Sequence, residues 1–344
     1  MLNYIAKRVV LAAFTITAIS FLSFVIMQMP PGDYIDWYIL KTKHGETEHR
    51  GELASGVDID ILAERLRGEF GLDKPMLLQW WDWYSSILFR GDFTGGVGET
   101  TSGGLLVSIE YMFSKTLPPT ILVAGATMIL TWLLAVPIGI YSAVRQNSVG
   151  DYVFSAIGFS GLAVPDFLLG LILMYLLYAY FELSVGGFYS AHYLNAPWSV
   201  GRLIDLLQHL IVPVVVISTA GVASIIRILR NNLLDELTKP YVITARAKGV
   251  SSWRVVMKYP LRVAIGPIIS AMAYVLPNLL SGTIIVSVVL GLPTMGPLLL
   301  EGLQAQNMSI AAAIILVMGS LTVIGTLISD LLLMVVDPRI RMTD

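Results

Sequence analysis

The sequence predicts an all-α polytopic membrane protein with six transmembrane helices, a small external cap domain and one prominent cytoplasmic loop. Of its 344 residues, 56 % are hydrophobic and only 13 % are charged, whereas about a quarter of the residues in soluble domains are charged. Six apolar segments are long enough to span a bilayer as helices. They are Val9–Met29, Leu117–Val144, Tyr152–Leu183, Leu206–Ile226, Val263–Leu290 and Ile310–Val336.

Basic residues orient these spans. Lys7 and Arg8 precede the first span, which lacks a signal-peptide cleavage site and is predicted to be a retained anchor. Because short basic loops stay in the cytoplasm, the N-terminus is predicted to be cytoplasmic, and six crossings return the C-terminus to the same side. Arg145, Arg339 and Arg341 then also fall on the cytoplasmic side.

The chain is predicted to have three parts. Residues 1–29 hold the N-terminus and the first transmembrane helix, residues 30–116 form an extracytoplasmic insertion, and residues 117–344 form the transmembrane core. The insertion is small for an independent domain and is predicted to form a cap. Within it, Asp60–Phe70 has the periodicity of an amphipathic helix.

Trp80, Trp81, Trp83 and Tyr84 lie close together in the insertion. We expect them to form an aromatic core of the cap or a belt at the membrane interface, because Trp and Tyr favour the headgroup zone. A stacking surface for a sugar or a peptide is the alternative. The glycine-rich residues 91–104 lack the Gly-Lys-Ser/Thr ending of a phosphate-binding loop, so this chain is not expected to hydrolyse ATP.

The most basic interval of the chain is Asn231–Arg262, between the fourth and fifth predicted spans. Counted from Arg227, it holds eight basic residues against two acidic ones. The positive-inside rule places this loop in the cytoplasm. The net charge of the whole chain is −2, and its positive charge is clustered beside apolar segments, so nucleic acid is not expected as a partner.

The local chemistry of this interval predicts two short helices joined at a sharp corner. Pro240 suits a first helical turn, Gly249 can end a helix in the left-handed conformation, and Ser251 or Ser252 can cap the next helix. Such a corner would project from a membrane bundle. Because it contains no residues suited to catalysis, we expect a docking element.

Several short motifs accompany this loop. YVITARAKG occupies Tyr241–Gly249, and the others are YIAKRVV followed by PPGD, GLDKP at Gly71–Pro75, Arg90-Gly91-Asp92, Leu117-Pro118-Pro119-Thr120 and VDPRIR at Val336–Arg341. With these motifs, nearly the whole chain resembles the permease subunit of a bacterial ABC importer of the dipeptide/oligopeptide/nickel class, the subunit with a long first external loop. YVITARAKG is similar to the EAA loop of that class.

The resemblance implies a type I ABC importer permease fold and a transport subunit rather than an enzyme. A second homologous permease subunit would complete a solute path that works by alternating access. Two ATPase subunits would bind ATP and Mg, so no cofactor is expected in this chain. An extracytoplasmic solute-binding protein would deliver an oligopeptide or an oligosaccharide. The implied location is the bacterial cytoplasmic (inner) membrane, in contact with membrane lipid.

The resemblance also implies which residues couple the permease to the ATPase subunits. Small residues would let the helix lie close in a groove, and Arg246 and Lys248 can pair with acidic groups on the ATPase surface. The alternative is that these two side chains only face lipid headgroups. The predicted coupling residues are Tyr241, Thr244, Ala245, Arg246, Ala247, Lys248 and Gly249.

Asp166 follows Pro165 near the middle of the third predicted span. A carboxylate inside a membrane is costly, so it is expected to have a partner or a function. Asp166 is predicted either to face a cationic or hydroxyl-rich solute or to cap the helix that restarts after Pro165. Glu182, Asp205 and Glu301 are predicted to lie at solvated rims.

Other protein classes fit the sequence less well. None of His44, His49, His192 and His209 has helical ligand spacing to another His or to a suitable acid within a predicted span, so no metal site is predicted. A secondary transporter driven by an ion gradient should show internal repeats and paired ionisable residues at mid-depth, where Asp166 stands nearly alone. An intramembrane enzyme would need a cluster of catalytic side chains, and the sequence supplies none within a span.

Overall fold

A computed structural model describes residues 2–29, 35, 39, 59–69, 72–90, 112–182, 186–270, 284–304 and 308–336. No β-strand occurs among these residues. The chain divides into two compact units. One consists of Thr120–Pro293 with the chain from Leu321 onward, and the other of Leu2–Pro119 with Thr294–Ser320.

Helices of two kinds follow one another along the described chain, long apolar ones and shorter ones. They are α1 (Leu2–Met27), α2 (Ile59–Glu69), α3 (Met76–Arg90), α4 (Leu117–Val144), α5 (Val149–Ala163), α6 (Asp166–Phe181), α7 (Val200–Leu237), α8 (Pro240–Ala247), α9 (Ser252–Lys258), α10 (Pro260–Ala264), α11 (Met295–Gln304) and α12 (Met308–Val336). A π-helical turn, Met112–Thr116, leads into α4.

Several of the described helices are long and apolar enough to cross a membrane. Four do so alone, and the pair α5 and α6 makes a fifth if it is one span. The four segments are Ala6–Ile26, Met112–Val144, Val200–Leu237 and Ile310–Leu333. The predicted span Val263–Leu290 includes residues 271–283, which lie outside the described residues. The multi-pass helical class is confirmed, and the number of six spans stays a prediction.

The third predicted span, Tyr152–Leu183, is not one continuous helix. α5 and α6 differ in direction by 102°, so this segment is either a broken span or a re-entrant loop. Pro165 favours the break, since its ring disfavours helical geometry at the preceding residue and it has no N–H to donate. Val164 accordingly has extended dihedral angles, φ −95° and ψ 127°.

α7 is the central helix of the first unit. With 38 residues it is about 57 Å long, well beyond the roughly 30 Å hydrocarbon core of a bilayer. Its first half packs with α4 around Val212 and Val216. Its second half packs with α4, α9 and α10 around Leu229 and Leu233. α7 therefore leads from one apolar cluster through a second one to the start of α8.

α5 approaches α7 closely because small residues lie at the contact. A β-carbon on Gly158 would lie 3.5 Å from Ala223 Cβ, and one on Gly161 would lie only 2.5 Å from Thr219 Cγ2. The Thr219 hydroxyl donates to the backbone oxygens of Val215 and Val216. Thr219 is thus held in place, and the contact at Gly161 leaves no room for a methyl group.

In the second unit, α3 packs along α1. Trp83 and Tyr84 are buried with Phe24, and the Tyr84 and Thr17 hydroxyl groups are 2.7 Å apart. Trp80 stacks on Tyr84 with ring centroids 5.5 Å apart. The aromatic residues therefore form mainly a packed core rather than a free stacking surface, but this core is built against α1 and α12 and not within the insertion alone.

Two other predictions concern the insertion. The amphipathic helix predicted at Asp60–Phe70 is confirmed by α2, Ile59–Glu69. The glycine-rich residues 91–104 lie outside the described residues. The division of the chain into anchor, cap and core remains a prediction.

The contact at Gly161 makes a stability prediction. Gly161→Ala should destabilise the protein by about 1–3 kcal/mol, because the added methyl group overpacks a filled contact. Gly125→Ala is the matched control, since a β-carbon there meets nothing within 4 Å, and it should stabilise α4 by up to about 1 kcal/mol. Thermal unfolding of the purified chain in detergent measures both. A midpoint that rises equally in the two variants would contradict the packing described for Gly161.

Candidate functional site

α8 and α9 meet at the corner that the sequence predicts. Pro240 is the first residue of α8, where a missing N–H costs nothing. Gly249 follows the end of α8 with φ +75°. Its N–H donates to Arg246 O at 2.9 Å, and the Val250 N–H donates to Ala245 O at 3.3 Å. These two bonds form a Schellman motif, which satisfies carbonyl groups at the end of α8.

The second helix of the corner, α9, begins at the position that the sequence predicts. Ser251 is the residue before α9, but its side chain makes no capping hydrogen bond. A serine therefore occupies the predicted N-cap position, but the predicted capping hydrogen bond from its side chain is absent. α9 ends at Lys258, and α10 begins at Pro260 after the single residue Tyr259.

The inner side of the corner is a small apolar core. Val242 and Val255 are fully buried and Ala245 is 7 % exposed, with Val250 and Tyr259 packed against them. Side-chain contacts across the corner thus add to the Schellman motif in fixing the angle between α8 and α9. Ala245, one of the predicted coupling residues, lies on this inner side.

The outer side of the corner combines positive charge with apolar surface. Ile243 and Trp253 are 58 % and 66 % exposed. Asp235 is the one exposed acidic residue of the described stretch 227–262. Surfaces that mix exposed apolar and charged side chains are typical of protein interfaces. The exposed basic side chains here are Arg227, Lys239, Arg246, Lys248, Arg254, Lys258 and Arg262.

The other predicted coupling residues lie on this outer side. Tyr241 is 41 % exposed, and its hydroxyl donates to the Glu236 carboxylate. The exposed Thr244 hydroxyl donates to Pro240 O at 2.9 Å. Ala247, Lys248 and Gly249 are exposed, and a β-carbon on Gly249 would meet nothing within 4 Å.

Arg230 differs from the other basic residues of the interval. It is one of the eight basic residues counted from Arg227 to Arg262, and its guanidinium group pairs with Asp151, whose side chain is 3 % exposed. Nothing in the sequence around Asp151 marks it as buried. Its position in the first turn of α5 is common for acidic residues, and its partner lies 79 residues further along the chain.

Asp166 is the first residue of α6, after the N-cap residue Pro165. It is half-buried. Within the described part of the chain its carboxylate accepts no hydrogen bond and forms no ion pair, so the structure shows no capping bond from this side chain. Its placement next to the 102° bend agrees with the break that Pro165 predicts.

Asp205 was expected at a solvated rim, and that prediction is wrong. The residue is 6 % exposed. Its carboxylate accepts the Ser190 N–H at 2.8 Å and the Ser190 hydroxyl, and His209 Nδ1 lies 3.6 Å away. Asp205 therefore holds the segment before α7 against the start of that helix. Glu182 and Glu301 are exposed, and their position at solvated rims stays a prediction.

The segment that Asp205 holds contains a second contact. The Arg202 guanidinium group lies over the rings of Tyr189 and Trp198, at 4.6 Å and 4.9 Å from their centroids. Cation–π contacts of this kind stabilise partly exposed segments. Among the described residues, no group of three or more His, Asp or Glu side chains could hold a metal ion, and His44 and His49 lie outside those residues.

These features define a multi-pass membrane protein with an exposed basic corner between α8 and α9. A family model described as binding-protein-dependent transport system inner membrane component matches residues 135–342. The chain is 30 % identical, over 99 % of its length and all of the relative, to the oligopeptide transport system permease protein AppB of Bacillus subtilis (strain 168). It is 28 % identical, over 99 % of each chain, to the dipeptide transport system permease protein DppB of Escherichia coli (strain K12).

The chain belongs to the family of binding-protein-dependent transport system inner membrane components. It is a permease subunit of an ABC importer, with the type I permease fold of that family, and thus a multi-pass inner-membrane transport component rather than an enzyme. Such a subunit works with ATPase and solute-binding partners. The resemblance found in the sequence is confirmed, and membership of this family gives no support to the ion-gradient alternative.

The buried carboxylate of Asp205 makes a prediction about the segment before α7. Asp205→Ala should remove hydrogen bonds to a charged acceptor that are worth about 1.5–3 kcal/mol. Amide hydrogen exchange in residues 186–199 should then become faster, which mass spectrometry of the purified chain measures. Glu301→Ala, at an exposed carboxylate, is the control and should leave the exchange unchanged. Equal exchange in the two variants would show that Asp205 does not anchor this segment.

Proposed function

We propose that the chain forms half of the solute path of its importer. A second homologous permease subunit supplies the other half, and two ATPase subunits bind on the cytoplasmic side. The path opens alternately to the two sides of the membrane as the ATPase subunits bind and hydrolyse ATP with Mg. In this arrangement both termini of the chain are cytoplasmic, as the positive-inside rule predicts.

The observation that carries this proposal is the exposed basic corner formed by α8 and α9. Its angle is fixed from inside by Val242, Ala245 and Val255, so a force on the outer side moves the corner as one body. Arg246 and Lys248 can donate to carboxylates of an ATPase subunit, which steers and orients docking. Ile243 and Trp253 can bury apolar surface in the same contact.

Each predicted coupling residue has a role in this docking. Ala245 packs the helix from within, and Tyr241 is oriented by its bond to Glu236. Thr244 and Ala247 have small side chains, so a partner surface can come close to the outer side of α8. Gly249 ends the helix without a side chain, so that a partner surface can approach the corner closely.

The solute that we infer is an oligopeptide. The two relatives compared above are named for transport of oligopeptides and of dipeptides, and an oligosaccharide is the alternative. A peptide carries an α-ammonium group that is largely protonated at neutral pH. Asp166, half-buried at the bend between α5 and α6, is a carboxylate of suitable charge for that group, whereas an oligosaccharide would offer only hydroxyl groups.

Substitution of Gly249 tests the coupling role. The tagged chain is purified from its native membrane, its companions are identified by mass spectrometry, and ATP hydrolysis and uptake are measured. We expect a second permease and ATPase subunits to accompany the chain. Gly249→Trp should abolish uptake by uncoupling transport from ATP hydrolysis, because the indole group prevents close docking. Gly249→Ala should retain uptake in part, since it adds little bulk and mainly strains a left-handed residue by about 1–2 kcal/mol.

The control for this test is Gly68→Trp. Gly68 is an exposed glycine in α2 with the same open space around it, and its replacement should leave uptake unchanged. Wild-type uptake in Gly249→Trp would disprove the coupling role of the corner. Purification of the chain without any ATPase subunit would disprove the proposed assembly.

Substitution of Asp166 tests the solute contact. We expect Asp166→Asn to raise the KM for uptake of trialanine about 10-fold, the loss of one hydrogen bond to a charged group. Uptake of N-acetyl-trialanine, which lacks the ammonium group, should be the same in both proteins. Glu182→Gln, at the exposed end of α6, is the control. Unchanged uptake of trialanine would remove Asp166 from the solute path and leave a role at the helix terminus.

A further inference from the structure

The proposed function leaves one buried contact unexplained, the ion pair between α5 and α7. Arg230 Nε donates to Asp151 Oδ1 at 3.0 Å, and Nη2 donates to Oδ2 at 2.9 Å. The Asp151 side chain is 3 % exposed and that of Arg230 24 % exposed. A two-pronged contact of this kind fixes both the distance and the orientation of the two groups.

Asp151 is held by a compact turn between α4 and α5. Asn147 has φ +61°, and its N–H donates to Asp151 Oδ2 at 3.0 Å. The Ser148 hydroxyl accepts the Asp151 N–H at 3.2 Å. A β-carbon on Gly150 would lie 2.5 Å from the Tyr141 hydroxyl oxygen, so the turn lies directly against α4. A displacement of Asp151 therefore displaces the start of α5.

Arg230 lies near the C-terminal end of α7, which leads directly to the corner of α8 and α9. It lies ten residues before Pro240, the first residue of α8. Its neighbours Leu229 and Leu233 are fully buried in a cluster that also contains Val256 of α9. The last turns of α7 and the second helix of the corner are thus packed together, and Arg230 should move with the corner.

α5 connects Asp151 to the bend at Pro165, next to the proposed solute contact Asp166. It ends at Ala163, and α6 begins at Asp166 in a direction that differs by 102°. Apart from the ion pair, α5 meets α7 through small residues such as Gly158 and Gly161. The contacts at these glycines hold α5 close to α7, and the paired groups at Asp151 and Arg230 add a directional contact that fixes the start of α5 against α7.

We propose that Asp151 and Arg230 are positioning residues that make α5 move together with the corner of α8 and α9. A displacement of the corner by the ATPase subunits then reaches the bend at Pro165 through α5. This inference rests on the proposed function, since it takes the corner as the place where the ATPase subunits act. In this proposal the contribution of the pair is the transfer of movement.

Distance measurement between α5 and α9 tests the inference. The chain contains no cysteine, so cysteines introduced at the exposed Val149 and Ser252 can carry spin labels. The complex, purified with its ATPase subunits, is measured without nucleotide and with ATP and vanadate. In the parent protein we expect the two distances to agree within about 2 Å, the scale of ordinary helix shifts. In Arg230→Lys, which keeps the charge and loses the two-pronged contact, we expect a larger difference while ATP hydrolysis continues.

Two further variants keep this test decisive. The double variant of Asp151→Asn and Arg230→Gln removes both charges and leaves none buried without a partner, and it should show the same loosened distance if Arg230→Lys fails to assemble. Asp82→Asn is the matched control. It breaks the exposed ion pair in which Lys74 Nζ lies 2.6 Å from Asp82 Oδ2. The distances between the spin labels should then be the same as in the parent protein.

The outcomes separate this inference from the proposed function. Parent-like distances in both pair variants would overturn it, whether or not the amount of complex falls, because the pair would then have only a structural role. A distance that changes with nucleotide in the parent would also overturn it. If Gly249→Trp abolishes coupling and the pair variants behave like the parent, only the role of the pair fails. If no ATPase subunit accompanies the parent chain, the proposed function fails and this inference with it.

Discussion

The first unit depends on close packing along α7. Inside a bilayer, apolar side chains gain little by leaving lipid for a helix interface, so close contact and a few polar bonds must hold the helices together. Small residues permit that contact at several levels. A β-carbon on Gly221 would lie 3.2 Å from Thr131 Cγ2, and one on Gly139 would lie 3.0 Å from Leu229 Cδ2. Because α7 is in close contact along most of its length, its two ends are mechanically one element.

Features that depend on neighbouring residues could be predicted from the sequence. The corner after α8 follows from Pro240 and Gly249, since each permits a backbone conformation at its own position. The break at Pro165 was also predicted, but Pro137 and Pro213 lie inside α4 and α7 without interrupting them, so a proline alone does not decide where a helix breaks. The angle of 102° could not be predicted, because it is set by how α5 and α6 pack against the rest of the unit. Long apolar segments predicted the membrane class from composition alone.

Features that depend on distant residues could not be predicted. Asp205 lies near the start of α7, and the residues around it are as typical of an exposed helix end as of a buried one. Only the fold brings the Ser190 amide and hydroxyl to it. Asp151 and Arg230 are 79 residues apart in the chain, and a single sequence gives no signal that pairs them. The buried position of Ala245 was missed because an alanine in a short helix suits either side of it.

The separation of inner and outer residues at the corner has a consequence for how importers can diversify. The angle between α8 and α9 is fixed by inward groups such as Val242 and Val255 and by backbone bonds. The outward side chains, among them Ile243 and Arg246, contribute nothing to that angle. They can be exchanged without unfolding the corner, so under the proposed docking role their charge and shape are free to favour one ATPase subunit and reject another. Several such transporters can thus share a membrane while each recognises its own motor subunit.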